Sequence, residues 1–373
     1  MDYAPVSVST AVGRCLDALG GLERLLEGAE TVLVKPNLLS PRPPEEAVTT
    51  HPAVVRAVVE ALAAAGVRQI WVGDSCAGAH PDDKLWEKTG LLEALEGSGA
   101  ELKSFIADVR PWKRGARPFP APAWLPEVDL IVNVPKLKTH GLTMLTCGVK
   151  NMYGMVSGSA KAAYHAQYPS PRAMSEFLAE VYGVFRPALT IVDAVVALEG
   201  EGPANGRPKP LGFILAGEDA AAVDAVCVEA LKVSAEHVPL LRRVAELDLG
   251  EIDSERIERV GSGVDAWGHV RLKQSIARWL MRIPEPVFHF ATRILHCRPQ
   301  VDDRLCVRCG VCKDLCSQDA ISVQPETGRY RIDNGKCIVC LCCSEACPQH
   351  AIRTRSPIEF LRRVKRFVLG QRD

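Results

Sequence analysis

Apolar positions along the first two-thirds of the chain fall into two alternating spacings. Val12, Cys15, Leu16, Leu19, Leu22, Leu25 and Leu26 recur at helical intervals and predict a helix over residues 12–28. The short apolar run Thr31–Val34 then reads as a buried strand that ends at Lys35-Pro36-Asn37. Thr50-His51-Pro52 opens the next helix, with Thr50 as cap and Pro52 in the first turn, and Gly66 closes it. Residues 67–72 form a second apolar run leading into Gly73-Asp74-Ser75. Strand, helix and strand at this spacing make a βαβ unit, which implies parallel pairing with helices covering the sheet.

The alternation continues. The pattern predicts a helix over 85–95, a strand over 101–106 and a proline-rich loop over 110–126. Val128–Val134 reads as a strand ending at Pro135, and residues 142–155 and 175–186 read as helical. A strand over 189–192 ends at Asp193. A strand over 212–216, helices over 220–232 and 238–248, and a last strand over 255–260 complete the series. Residues 1–268 therefore form an α/β main domain with a mostly parallel sheet. Residues 269–299 carry apolar Leu272, Ile276, Trp279, Leu280 and Ile283 beside basic Lys273, Arg278 and Arg282, and read as linker helices. The tail 356–373 is a second basic amphipathic stretch. Either segment could pack on the protein or touch a membrane surface peripherally, and the tail could also dock an acidic partner.

Residues 300–355 follow neither spacing. They hold Cys306-x2-Cys309-x2-Cys312-x3-Cys316 and Cys337-x2-Cys340-x2-Cys343-x3-Cys347, followed by Pro348. Three cysteines in a tight loop can each offer a thiolate to one iron of a cubane, and the fourth iron takes its ligand from elsewhere. In the two-cluster bacterial ferredoxin pattern, the fourth cysteine of each run serves the other cluster. The spacing thus assigns Cys306, Cys309, Cys312 and Cys347 to one [4Fe–4S] cluster, and Cys337, Cys340, Cys343 and Cys316 to a second. Zinc is the competing reading, because four thiolates also suit it. Zinc modules separate two cysteine pairs by a longer spacer. The predicted fold here is a small α+β bacterial ferredoxin-like domain. Ser317 replaces the proline that would follow the first run. Cys342, inside the second run, reads as a spare.

Composition narrows the remaining classes. Lysine plus arginine equals aspartate plus glutamate at 45 each, so no net field draws the protein to nucleic acid or anionic lipid. No early basic-then-apolar segment predicts a secretory signal, and no apolar run has the length of a membrane span. Intact clusters need thiolates, so the 14 cysteines imply a reducing, cytoplasmic setting rather than disulfides.

Candidate chemistry gathers at predicted strand ends, where open parallel sheets bind ligands. Lys136, Lys138, His140, Lys150, Asp74 and Asp193 are the candidate catalytic residues. Lys35, Asn37, Ser75, Thr139 and Asn151 are candidate ligand-binding residues. Lys136 and Lys138, two apart on an extended segment, would point the same way and could grip one anion. The helix beginning after Gly141 would aim its N–H groups at that anion. The plainer reading is a solvated basic loop and helix-capping aspartates. No Rossmann, P-loop or nucleophile-elbow motif occurs.

Several blocks resemble one family. They are Val34-Lys35-Pro36-Asn37, Thr50-His51-Pro52, Val72-Gly73-Asp74-Ser75, Val134-Pro135-Lys136-Leu137-Lys138-Thr139-His140 and Gly148-Val149-Lys150-Asn151. Val192-Asp193, Glu199-Gly200 with Gly202-Pro203, and Val223-Asp224-Ala225 extend the series. Together, over roughly residues 30–235, they resemble the domain of unknown function 362 family, whose members often carry a ferredoxin-type module. The resemblance supports the boundaries and the choice of residues and implies no particular reaction. Two functions follow as expectations. One is an iron–sulfur oxidoreductase, fed by a redox partner or electron donor, passing electrons to a small-molecule or protein substrate or a cofactor on the α/β domain. The other is a ferredoxin-like electron carrier or maturation factor whose α/β domain binds a partner protein without catalysis.

Overall fold

The computed structural model describes residues 2–78, 80–158, 160–168, 170–274 and 298–355. The expected linker helices beyond residue 274 and the basic tail lie outside the described residues.

Apolar alternation builds the main sheet. Strand β1 (Thr31–Pro36) pairs in parallel with β2 (Gln69–Val72) and β6 (Leu130–Val134). The two-residue β3 (Glu101–Leu102) extends the β2 edge, also in parallel. On the other side β6 passes to β9 (Leu189–Glu199), which pairs in parallel with β7 (Lys136–His140). Strands β8 (Met144–Thr146) and β10 (Arg207–Gly217) add antiparallel edges to β7 and β9. The sheet has eight strands in the order β3-β2-β1-β6-β9-β7-β8, with β10 also on β9. Side chains alternate across it. Val32 and Val34 join the core under helices α1 (Pro5–Ala18) and α2 (Pro52–Ala64), while Leu33 joins the larger core on the opposite face. The main domain is therefore a mostly parallel sheet between two helical layers, as the alternation predicts.

Several elements depart from the periodic reading. Gly20 and Gly21, at φ +89° and +85°, stop α1 early, so residues 20–28 run as turns. The predicted helix over 85–95 is broken by Gly90 at φ +71° into α3 (Asp82–Lys88) and α4 (Leu91–Ala94). The proline-rich segment holds a hairpin, β4 (Val109–Trp112) with β5 (Phe119–Pro122). A two-stranded ribbon has only edges, where proline costs no ladder bond. The helix predicted over 142–155 gives way to β8, a single turn α5 (Gly148–Asn151) and a 3-10 turn over 152–155. Helix α6 (Ala160–Gln167) carries no apolar stripe long enough to be read. Helix α7 (Pro171–Val184) starts earlier than its apolar face suggests, at a Ser170 cap. Residues 255–260 are not a strand. Asp193, expected at a strand end, lies within β9, which continues to Glu199. Thr50 does not cap α2; His51 does, through its ring nitrogen at 3.2 Å from the Ala53 N–H. The Thr50 hydroxyl instead donates to the Val134 carbonyl and accepts from the Asn37 N–H, fastening two strand ends together.

The C-terminal domain is a small α+β unit with an internal repeat. Strand β11 (Arg298–Val301) pairs with β14 (Ile352–Arg355), and β12 (Ile321–Val323) with β13 (Tyr330–Ile332). A one-turn helix follows the opening cysteines of each run, α11 (Val311–Asp314) and α12 (Cys342–Ala346). The two cysteine loops repeat the same backbone twists. Arg308 matches Val339, Gly310 matches Leu341, and Asp319 matches His350, all at positive φ.

Helix α8 (Ala220–Val228) places Asp224 under the first turn of α5. Its carboxylate accepts from the Gly148 N–H at 2.6 Å and the Val149 N–H at 3.0 Å, fully buried. Those two N–H groups have no water to turn to. Asp224→Ala should cost about 2–4 kcal/mol, the penalty for orphaning two buried donors, measurable as a shift in the urea midpoint. An unchanged midpoint would show that α5 needs no such anchor.

Candidate functional site

The loops after β1, β2 and β6 meet α5, α6 and the ferredoxin-type domain around one chamber. It encloses about 650 Å³ of space, a figure that includes solvent at its open side. Its polar wall includes Asn37, Asp74, Ser75, Lys138, Lys150, Asn151, Lys161 and Glu345. Six of these eight were expected from the sequence. Lys161 and Glu345 were not, because neither sits in a periodic element or beside a readable strand end.

An amide relay builds the floor. The Lys138 ammonium, which can only donate, bonds the Asn37 side-chain oxygen at 2.6 Å and the Val48 carbonyl at 2.9 Å. That fixes the Asn37 amide, whose nitrogen then donates to Asn151 at 2.9 Å, and Asn151 in turn donates to Asn133 at 2.8 Å. Asn133 ends the chain on the Gly148 carbonyl. One lysine thus sets the orientation of three amides, and burial holds its pKa well below the usual lysine range.

The remaining charges divide into spent and unspent. Lys35 and Asp74, both buried, form an ion pair at 2.7 Å, and Asp74 also accepts from the Leu38 N–H at 2.7 Å. A β-carbon on Gly154 would lie 2.0 Å from that carboxylate, so only glycine fits there. Lys136 pairs with Asp193 at 2.9 Å and donates to the Tyr3 hydroxyl at 2.6 Å. The His51 N–H and the Tyr3 hydroxyl complete Asp193. Lys136 and Asp193 are fully enclosed by these partners, away from the chamber. The expectation that Lys136 and Lys138 grip one anion together therefore fails. The β7–β9 register shifts between them, and each ammonium has its own acceptors. Thr139 also turns away, donating to the Gly200 carbonyl at 2.9 Å. The N–H groups of the one-turn α5, expected to face an anion, are taken by Asp224.

Lys138 and Lys150 have no carboxylate within ion-pair distance among the described residues, and Lys150 makes no hydrogen bond there. Lys161 donates to the Ser75 carbonyl, and burial brings its pKa down to about 8. Among the described residues of the wall, the carboxylate with no charged group in ion-pair range is Glu345, on α12 of the ferredoxin-type domain. Burial raises its pKa, while Lys150, Lys138 and Lys161 pull it back. His140 is buried just outside. Its Nδ1 accepts from the Leu142 and Thr143 N–H groups, so the neutral ring carries its proton on Nε2, 4.0 Å from Glu345. Burial and the neighbouring lysines hold His140 well below the usual histidine pKa. His165 is pushed down to about 3 for the same reason and stays neutral.

The ferredoxin-type domain forms the lid. Leu315, Cys342, Ala346 and Ala162 share an apolar contact, and Gly78 lies close under Val311 and Ala346. Buried Arg42 reaches from the β1–α2 loop to the Cys347 carbonyl at 2.6 Å and to the His350 ring. Ser317, standing where a proline would close the first run, donates instead to the Ala162 carbonyl of α6 at 3.4 Å.

The two cysteine sets fit iron–sulfur clusters. Cys306, Cys309, Cys312 and Cys347 line a single hollow with Val301, Ala351 and Ile352. Cys312 feels Cys347, Cys309 and Cys306, which with burial push its thiol up to about 12. Cys343 is raised by burial and by Cys340, Cys312, Cys337 and Cys316. Such crowded, buried thiols ionise readily only against a cation. The Ala320 and Ala351 N–H groups donate to Cys316 Sγ and Cys347 Sγ, both at 3.3 Å. Each loop also carries left-handed residues at matching places, the kind of backbone from which anion-binding concavities are built. Cys342, the expected spare, is buried in the chamber wall. The second set borders the chamber, since Leu315 adjoins Cys316 and Cys342 adjoins Cys343. The first set lies beyond it, with Cys309 exposed.

Burial depresses the Lys161 pKa from 10.5 in the free side chain to about 8. Below pH 8 the folded state carries the desolvation cost of the ammonium. Between pH 8 and 10.5 the unfolded state binds the extra proton, so stability rises with pH over that window. Wild type should therefore gain stability relative to Lys161→Met from pH 8 to 10.5 in denaturant melts, whereas parallel pH profiles would refute the depressed pKa.

The family described as "Domain of unknown function (DUF362)" matches residues 32–229, and a 4Fe-4S dicluster domain matches residues 298–348. The thylakoid-associated protein sll1697 of Synechocystis sp. (strain ATCC 27184 / PCC 6803 / Kazusa) is 29% identical over 263 residues, covering 68% of this chain and 79% of that protein. Among solved structures, the lactate racemase apoprotein from Thermoanaerobacterium thermosaccharolyticum aligns at 14% identity with a TM-score of 0.42. That alignment covers 61% of this chain and 55% of the racemase, so the chain spans just over half of that protein. A protein from Thermotoga maritima aligns at 14% identity and a TM-score of 0.33, covering 84% of this chain and 85% of the other. The chain belongs to the DUF362 family and carries a 4Fe-4S dicluster domain at its C-terminal end.

Proposed function

We propose that this iron–sulfur protein is an oxidoreductase that reduces an anionic small molecule held in the chamber. The observation that carries this reading is the lid: residues adjoining the second cysteine set form one wall of a pocket whose other walls present Lys138, Lys150 and Lys161. Two [4Fe–4S] clusters, on Cys306, Cys309, Cys312 and Cys347 and on Cys337, Cys340, Cys343 and Cys316, would supply one electron each. The exposed side of the first set suits entry from an external donor protein, and the second set suits delivery into the chamber.

The protein's own residues do the rest. Lys138 and Lys150 hold the acceptor's negative charge and orient its reducible group toward α12. Reduction of a carbonyl to an alcohol takes two electrons and two protons. Lys161, with a pKa near 8, is protonated at neutrality and gives up its proton at little cost. His140 is a weaker candidate, because its Nδ1 is committed to backbone N–H groups. The second proton comes from solvent through the open side. Closure of the lid keeps bulk water from most of the site and strengthens each charge interaction. A carrier whose α/β domain only recognises a partner protein would have no use for buried, unpaired lysines, which are costly to keep.

Two measurements test the reading. Anaerobic protein should hold about eight irons, four for each cubane. Cys316→Ser and Cys347→Ser should each perturb the EPR signal of the cluster whose other three ligands lie in the opposite run. Loss of the same-run signal instead would overturn the cross-assignment. Separately, Lys150→Met should retain its iron yet slow substrate-dependent reoxidation of pre-reduced clusters about 100-fold, in line with losing a well-placed charge in a closed site. Turnover equal to wild type would sink the oxidoreductase reading.

A further inference from the structure

The α/β domain grips the backbone of one cluster ligand. Arg42, on the β1–α2 loop, donates to the Cys347 carbonyl at 2.6 Å. One residue earlier, the His80 ring donates from Nε2 to the Ala346 carbonyl at 3.0 Å. Both contacts fall where the second cysteine run delivers its last thiolate. By the cross-assignment that thiolate serves the first cluster, which lies beyond the chamber. The main domain therefore reaches the outer cluster through its fourth ligand.

A charge is not needed to hold two carbonyls in place, yet Arg42 brings one. Its side chain has no exposed surface, whereas its carboxylate partner Glu46, at 3.1 Å, is 35% exposed. Water thus screens the anion of this pair while the cation stays buried. The His350 ring is a further partner. The Arg42 Nε–H has no acceptor among the described residues. A guanidinium keeps its proton in proteins, so the burial is costly unless an anion lies close. The Cys347 sulfur is within electrostatic reach of it, and a cluster on that sulfur adds the anionic centre.

We propose that Arg42 raises the reduction potential of the first cluster, and that an electron on that cluster in turn tightens the seating of the ferredoxin-type domain. Net charge and hydrogen bonding around the ligands set cluster potentials. One electron from an external donor adds one negative charge to the cluster and its thiolates, and no bond is made or broken. A fixed, buried cation attracts that added charge more strongly than water would. Seating beside Arg42 therefore favours the reduced form, and by linkage reduction favours seating by the same factor. The lid is held most firmly when an electron has arrived. This inference rests on Cys347 serving a cluster and is independent of what the chamber binds.

The test is an EPR-monitored redox titration of the anaerobic, cluster-loaded full chain. In Arg42→Gln one of the two one-electron waves should fall by a tenfold change in its reduction equilibrium, about 59 mV for one electron, while the other stays in place. The wave that moves should be the one altered in Cys347→Ser and not the one altered in Cys316→Ser. Arg42→Lys keeps the charge and should restore most of the shift. Waves unmoved in Arg42→Gln overturn the proposal. Waves that fall together overturn it too, because a lost structural contact would expose both clusters alike. Wild type supplies a check that needs no variant to fold. Hydrogen exchange over residues 39–50 and 344–352 should be about tenfold slower in the dithionite-reduced protein than in the oxidised one. Equal exchange in the two states overturns the proposal. The oxidoreductase reading fails by a different sign: pre-reduced clusters that no added acceptor reoxidises would remove it and leave both of these measurements unchanged.

Discussion

Charge withdrawn from water must be answered, and the architecture of this protein follows from how its buried lysines are answered. Lys35 and Lys136 have carboxylates at 2.7 and 2.9 Å, and these pairs act as fixed struts at the strand ends. Among the described residues Lys138 is hydrogen-bonded to neutral oxygens, and that arrangement dictates the orientation of Asn37, Asn151 and Asn133 down to the sheet. The relay in turn meets the Gly148 carbonyl at the turn that presents Lys150. Removing one member leaves a buried donor or acceptor without a partner, so the floor of the chamber behaves as a unit.

The ferredoxin-type domain is part of the same device. A free-standing two-cluster module needs only its own cysteine loops. Here it lends Leu315, Cys342 and Glu345 to the wall of another domain's pocket. Arg42 secures that position by inserting a buried guanidinium against the Cys347 carbonyl, one residue before Pro348. The place of Ser317 is explained by the same contact surface. A proline there would lack a hydroxyl for the Ala162 carbonyl on α6. The irregularity in the first cysteine run is therefore a docking feature.

Much of this was legible in residue order. The cysteine runs gave their pattern directly, because metal-binding loops are local and their spacing is their geometry. The parallel sheet was legible from apolar runs of strand length separated by helices, and strand ends pointed to Asn37, Asp74, Ser75, Lys138 and the nearby Lys150 and Asn151. Other elements were hidden by local exceptions. Glycines at positive φ cut α1 short and divided the segment 82–94. Prolines that argued for a loop proved compatible with a two-stranded ribbon. Asp193 lay inside a strand because β9 runs on past the charged residue through pairing with β10, an interaction distant in sequence.

Residue order by itself determined the two-domain plan, the class of each fold, the cofactor-binding loops and a pool of polar candidates. It could not sort that pool. Lys136 and Lys138 are two apart on one strand, yet one is sealed in an ion pair and the other opens the chamber, because a register shift gives them different neighbours. Lys161 and Glu345 come from a short helix and from the other domain, and nothing adjacent in the chain marks them. Whether a lysine is spent or available depends on which carboxylate lies within a few ångströms. Only the tertiary structure sets that distance, since Coulomb attraction and desolvation act through space and take no account of separation along the chain.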